Sequence, residues 1–351
     1  MSKKIRIAIA WNGLPLYAAR LIKEGIQRIQ EPVSIIASQP NVPILGMEDF
    51  LGQKVTWIDS NEKTNWDTLN LDIPDIFFHT GWAYPAFNSL GDEVRKKGGS
   101  VVSMVDNCWQ NSPRQWIGAL VFRLVYRRWF NAIWVPGRSA NQLCRFLGMP
   151  QKRIYQGMYG ADPKLFSPET PLYQRKKQFI FVGQFIQRKG VDILIKAFQK
   201  FKLEFPDWNL KVFGCGPLNY LFQNQPGVIS QGFQQPPQIA AEMSESRFLI
   251  LPSREEHWGL VVHEATLAGC GVIASKEVGS VADLLFPPLN GFIVSNHSPD
   301  ELYKVMKQSA LLTDSQLENI QKKSLALSNL FGPKIWANKF SDILNTLEAW
   351  N

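Results

Sequence analysis

Short apolar runs alternate with stretches of helical periodicity along most of this chain. The apolar runs at 5–11, 33–38, 75–79, 100–105 and 132–136 have strand length. Between them lie the turn Asn12-Gly13-Leu14-Pro15, a helical stretch at 16–30, a polar helix near 86–97 and another at 138–147. The stretch 164–177, with Pro168 and Pro171 and with Pro163 just ahead of it, reads as a linker. A second alternating set runs from Phe179 to about Leu312, and a last helix is expected near 335–347. Strand–helix alternation of this kind predicts parallel sheets covered on both faces, hence an α/β fold. The division it suggests is 1–170, 171–331 and a C-terminal helical segment at 332–351.

One helical stretch is ambiguous. Ile117, Leu120, Val121, Leu124, Val125 and Trp129 recur at helical spacing, with Arg123 and Arg127 on another side. Such a stripe either packs on the sheet or, being basic and Trp-containing, lies on an anionic membrane. Charge sharpens the question. The net charge is +8, and the segment 107–161 contains no Asp or Glu while holding Arg114, Arg123, Arg127, Arg128, Arg138, Arg145, Lys152 and Arg153. Trp109, Trp116, Trp129 and Trp134 lie in the same segment. No motif directs this charge to nucleic acid.

Composition adds bounds rather than chemistry. At 351 residues, the chain is long enough for two cores. The four cysteines (Cys108, Cys144, Cys215 and Cys270) follow no metal or disulfide spacing, which points to a reducing compartment. The first apolar run is too short for a secretory signal, and no run has membrane-spanning length. The expectation is a cytoplasmic protein, peripheral on the inner membrane face if the stripe meets lipid.

Candidate chemistry concentrates in 248–269. An apolar strand ends in Pro252-Ser253 and a helix begins near Val261; between them lie Glu256 and Gly259, and Glu264 follows about one turn inside the helix. The N–H groups of Gly259, Leu260 and Val261 at a helix start attract phosphate. Glu256 and Glu264 can face one crevice and accept hydrogen bonds from sugar hydroxyls, or they can serve the helix dipole and solvent. Upstream, an apolar run into Gly183 and Gln184 leads to Arg188 and Lys189 at the start of another helix. Two cations there can neutralise a diphosphate leaving group, or form a solvated basic boundary. Gly13 and Asp106 also fall just beyond strand ends, where doubly wound sheets bind ligands. Asp106 suits a sugar hydroxyl, or a turn as part of Asp106-Asn107. His79 reads as structural, and His257 and His263 have no metal-site spacing, so no metal is expected.

The run from Leu251 to Ala274, with Glu256 and Glu264 inside it, resembles the E-x7-E signature of retaining family 4 glycosyltransferases. The resemblance extends to Gly183-Gln184…Arg188-Lys189-Gly190, to Gly214-Cys215-Gly216-Pro217, to Gly232-Phe233 and to Gly160-Ala161-Asp162. It covers the C-terminal half in ordered blocks and the N-terminal half loosely. It implies a GT-B architecture, two Rossmann-like doubly wound domains facing a central cleft, with the last helix returning to the N-terminal domain. It implies a nucleoside-diphosphate sugar donor and no further cofactor. Lys189, with Arg188 and Gln184, would hold the diphosphate, Glu264 the ribose and Glu256 the donor sugar. Gln184 stands where the family usually has arginine, and Asp106 near a point where many relatives carry histidine. The acceptor would be a glycan or lipid-linked hydroxyl, as in envelope polysaccharide or lipopolysaccharide assembly. A catalytically silent nucleotide-sugar-binding subunit and a non-transferring epimerase or hydrolase are the alternatives.

Overall fold

The structure is a computed structural model that describes residues 5–29, 31–40, 46–110 and 112–348. The described residues up to Gly160, joined by those from Phe331 onward, form one compact unit, and Ala161–Leu330 forms another.

In the first unit the elements run β1 (Ile7–Trp11), α1 (Leu16–Ile29), β2 (Val33–Ala37), α2 (Met47–Leu51), β3 (Val55–Trp57), β4 (Ile76–Thr80), α3 (Pro85–Lys96), β5 (Ser100–Met104), α4 (Pro113–Leu124), β6 (Ala132–Val135), α5 (Arg138–Phe146) and β7 (Ile154–Gln156). All seven strands are parallel, in the order β3-β2-β1-β4-β5-β6-β7. Alternate residues of each strand point to opposite faces. Ile7, Ile9 and Trp11 therefore join one core, and Ala8 and Ala10 the other. The strands β3 and β7, three residues each, lie at the two edges and were not legible as apolar runs.

The second unit contains β8 (Lys176–Val182), α6 (Val191–Glu204), β9 (Asn209–Phe213), β10 (Val228–Ser230), α7 (Pro236–Glu245), β11 (Ser246–Leu251), α8 (Leu260–Leu267), β12 (Gly271–Ser275), α9 (Val281–Leu284), β13 (Gly291–Val294), α10 (Pro299–Ala310) and α11 (Asp314–Ser328). Its six strands are parallel in the order β10-β9-β8-β11-β12-β13. The last helix, α12 (Pro333–Glu348), belongs to the first unit. Its Trp336 and Phe340 pack on Trp134 and Phe78, with ring centroids 4.7 and 5.0 Å apart for the closest pairs.

The stretch read as a linker is fastened to the second unit. Phe166 and Leu172 are buried. The buried Arg175 donates to four carbonyls, those of Thr170 (3.0 Å), Met243 (3.2 Å), Ser246 (3.3 Å) and Ala268 (2.8 Å). A guanidinium carries donors in a planar fork, so one side chain can tie several carbonyls at once.

Candidate functional site

In an open parallel sheet, adjacent strands whose connections leave in opposite directions open a crevice at their carboxyl ends. The second unit has this switch between β8 and β11, where the order turns from descending to ascending. The loop after β8 carries Gln184, Arg188 and Lys189, and the loop after β11 carries Glu256. The structure closes this switch point with an ion pair between the Lys189 ammonium and the Glu256 carboxylate, whose side chains are only 14% and 13% exposed. Water screens a pair this enclosed far less than one on the surface.

Several contacts hold the two loops in place. Arg254 N donates to Arg188 O (2.8 Å), and Arg188 Nη1 donates to Glu255 O (3.0 Å). Arg254 forms a bidentate pair with Asp192 in the first turn of α6, with both N···O distances 2.7 Å. The guanidinium holds the Asp192 carboxyl below its ordinary range, chiefly through these hydrogen bonds. Gly190, which starts α6, has φ +68°, and a Cβ there would lie 2.0 Å from Pro252 O. Only glycine lets the first loop approach the second so closely.

The Glu256 loop is also latched to residues 275–280, a segment that sequence reasoning missed. Glu256 forms a parallel bridge with Val278, and Gly279 N donates to Glu256 O (3.0 Å). Ser280 N donates to Trp258 O (2.8 Å), and Ser275 Oγ donates to Ser253 O. The contacts link residues some twenty positions apart, and no local pattern announces them. Gly259 then starts α8 with φ +80°, where a Cβ would stand 2.9 Å from Val278 Cγ1 and 3.1 Å from Glu256 Cγ. Leu260 and Val261 form the first turn of α8, whose N–H groups are free of intrahelical partners by the geometry of any helix start.

Glu264 lies one turn further along α8. The residue keeps some exposure, but burial of its carboxyl raises the pKa to about 7. The next residue back, His263, is fully buried. Its Nδ1 accepts from Ala161 N (2.9 Å), so the proton sits on Nε2, which donates to Ser328 O (2.9 Å). Burial lowers its pKa to about 4, so it is a neutral structural bridge near pH 7.

Lys189, Arg188, Glu256, Gly259, Leu260, Val261 and Glu264 are thus gathered by two loops and one helix, with Gln184 exposed on the first of these loops. Gly13 and Asp106 belong to the first unit, beyond β1 and β5. Gly13 has φ +61°, and its N–H donates to Ser38 Oγ (2.7 Å). It lines an open cleft of about 750 Å³ with Asn12, Ser38, Trp57, Asp59 and Tyr84, next to the β1/β4 switch of that sheet. Asp106 accepts a hydrogen bond from Tyr159 Oη (3.0 Å). His79 is buried, and its Nδ1 lies 2.8 Å from Gly81 O.

Residues 164–324 match the family described as glycosyl transferases group 1. An uncharacterized glycosyltransferase of Methanocaldococcus jannaschii is 33% identical over 129 residues, 35% of each chain. This match and those to other curated relatives span less than half of the relatives' length. Among solved structures, a glycosyltransferase from Rickettsia africae superposes with a TM-score of 0.78 at 15% identity, covering 98% of this chain and 99% of that one. Anabaena HepE, solved in complex with UDP and glucose, superposes with a TM-score of 0.75 at 14% identity, covering 98% of this chain and all of that one. At such identities the likeness is one of fold. The chain has the α/β fold of GT-B glycosyltransferases, and residues 164–324, within its second unit, are similar to the glycosyl transferases group 1 family.

Proposed function

We propose that this protein is a retaining glycosyltransferase that moves a hexose-type sugar from a nucleoside diphosphate to a hydroxyl of a glycan or lipid-linked acceptor. The observation that carries the reading is the Lys189–Glu256 pair at the β8/β11 switch point, one loop ahead of the Glu264 turn. A cation that already faces a carboxylate in a sheltered crevice can exchange that partner for a diphosphate. The exchange frees Glu256 to accept hydrogen bonds from sugar hydroxyls. Glu264 then accepts from the ribose, and the N–H groups of Gly259, Leu260 and Val261 meet phosphate or sugar oxygens. Arg188 and Gln184 add donors on the leaving-group side, the former already braced on Glu255 O.

Catalysis in this scheme is electrostatic and positional. The bond from the anomeric carbon to the diphosphate oxygen breaks as the bond to the acceptor oxygen forms on the same face. The departing phosphate oxygen takes the acceptor's proton. Lys189 stabilises the charge that develops on the diphosphate, and no protein nucleophile is required. Asp106 and Gly13 serve hydroxyl binding on the first unit's sheet. The nucleotide sugar is the only small-molecule partner in the scheme; it needs no metal and no separate cofactor. HepE's complex with UDP and glucose supports the donor class, and the basic, aromatic 107–161 segment supports a lipid-linked or anionic acceptor of envelope polysaccharide or lipopolysaccharide assembly. The four cysteines, Cys108, Cys144, Cys215 and Cys270, are in the reduced form, which supports work in a reducing compartment such as the cytoplasm.

The test is a binding screen of purified protein against UDP- and GDP-sugars, repeated with Lys189→Ala and Glu264→Ala. Selective binding that each substitution weakens by about tenfold or more is expected, since a charge-assisted contact is worth ~1.5–3 kcal/mol. Selective binding without transfer to any acceptor leaves a silent subunit, and release or isomerisation of the sugar without acceptor leaves a hydrolase or epimerase. Folded protein that binds no nucleotide sugar overturns the reading.

A further inference from the structure

The α4 helix presents its apolar residues outward. Only Ala119 and Phe122 of the helix are buried, Phe122 against Trp82 with ring centroids 5.0 Å apart. Trp116, Ile117, Leu120, Val121, Leu124 and Val125 are between 37% and 69% exposed. They fall in adjacent pairs at positions i, i+4 and i+8, a continuous row along one side of the helix. No other ten-residue stretch of the described chain has more than two exposed large apolar side chains. The stripe that helical periodicity would lay against the sheet is therefore left uncovered. Two inward side chains suffice to seat the helix.

The surroundings of this row identify what covers it. Arg114, Arg123, Arg127 and Arg128 are exposed on or just after α4, and the segment 107–161 has no acidic residue to neutralise them. Arg123 is braced over the Phe146 ring (5.6 Å) with its guanidinium on Phe146 O. Trp109, Trp116 and Phe146 form an aromatic cluster at the N-terminal end of the helix, with centroids 4.0–5.5 Å apart. Apolar side chains flanked by arginines and tryptophan match the layered chemistry of a lipid interface, acyl chains beneath anionic headgroups. A second copy of the same face would bring these arginines together without counter-charge. A nucleic acid would satisfy the arginines and leave the apolar row in water.

We infer that α4 docks this protein on an anionic lipid bilayer, with Trp116, Ile117, Leu120, Val121 and Leu124 entering the interface and Arg114, Arg123, Arg127 and Arg128 contacting headgroups. The helix is a firm platform for this. Ser112 caps it by accepting from Gln115 N (3.3 Å), and Gln115 holds the 108–110 loop through Cys108 O and Gln110 N, both 2.7 Å. That loop leads directly from Asp106, so docking places a candidate hydroxyl-binding carboxylate near the surface that would supply a lipid-linked substrate. Among the described residues no helix is long and apolar enough to cross a membrane, so the contact is peripheral. The inference concerns the first unit alone and does not depend on the chemistry assigned to Lys189 and Glu256.

The test is co-sedimentation of the full chain with phosphatidylcholine vesicles, with and without phosphatidylglycerol, at low and high salt. The variants are Leu120→Asn/Leu124→Asn and Arg127→Gln/Arg128→Gln; all four side chains are exposed, and circular dichroism checks the fold. Wild type is expected to bind the phosphatidylglycerol vesicles at least about tenfold more tightly than the neutral ones. The arginine variant loses about 25-fold, at roughly fivefold per charge, and the leucine variant about tenfold even at low salt. Quenching of tryptophan fluorescence by brominated lipid falls in Trp116→Phe. Absence of vesicle binding overturns the inference, as does full binding by the leucine variant, which would mark mere charge adsorption. Self-association or duplex binding that is lost in the leucine variant, without vesicle binding, also overturns it. Donor binding measured on the same variants in solution stays at wild-type strength, so failure here is distinguishable from failure of the glycosyltransferase reading.

Discussion

Glu264 is a carboxylate kept from water on the first turns of α8, and burial raises its pKa to about 7. A ribose hydroxyl donates to the charged form and gains little from the protonated one. Nucleotide-sugar affinity is therefore expected to rise as pH increases through about 7, and to flatten in Glu264→Gln; calorimetric titration at pH 6 and 8 checks this. Stability runs the opposite way. The native pKa lies above the unfolded value near 4.5, so the stabilising contribution is complete below that value and is lost as pH rises through 7. That Glu256 and Glu264 stand only one loop and one helical turn apart was legible in the sequence, because the loop and the helix start are local features. The partner of Glu256 was not legible. Lys189 lies 67 positions away, and only the β8–β11 adjacency joins them.

Between elements, His263 does similar work in another register. It links α8 to the carbonyl at the end of α11 and to the backbone at Ala161, across 65 and 102 positions. His263→Phe removes both bonds and leaves a buried N–H and C=O unpaired, a loss of about 2–6 kcal/mol at pH 7 at ~1–3 kcal/mol each. The pH dependence separates this bridge from simple packing. The native pKa of about 4 lies below the unfolded 6.5, so the unfolded state binds the extra proton between those values. Stability falls as pH drops from 6.5 towards 4, and this part of the slope is absent in His263→Phe; urea unfolding at pH 7 and pH 5 measures it. In the sequence His263 was a residue beside a glutamate, with no signal of either bond. The α4 helix illustrates the complementary limit. Periodicity identifies which of its residues share a face, but whether that face meets the sheet or the solvent depends on how the neighbouring elements pack. Most strands and helices were legible because their apolar runs are long. The three-residue edge strands β3 and β7 are too short to express any period.

Across the whole molecule, the same architectural device recurs. Each parallel sheet has a switch in strand order, at β1/β4 in the first unit and β8/β11 in the second, and each switch has polar groups at its carboxyl edge. The positive charge is unevenly spread: nearly all of the acid-free 107–161 segment lies in the first unit, whereas in the second the Lys189 charge is met by Glu256. On the function proposed above, this pair is a donor site held shut by its own carboxylate until a diphosphate arrives. Titration of UDP and GDP into wild type, Lys189→Ala and Glu256→Gln addresses it most directly. Sugar-free nucleoside diphosphate makes no use of Glu256 as a hydroxyl acceptor, and its removal frees the ammonium. Binding is therefore expected to weaken about tenfold or more in Lys189→Ala, by ~1.5–3 kcal/mol, and to strengthen in Glu256→Gln, for whichever nucleotide wild type accepts. Equal affinity in wild type and Lys189→Ala would contradict it.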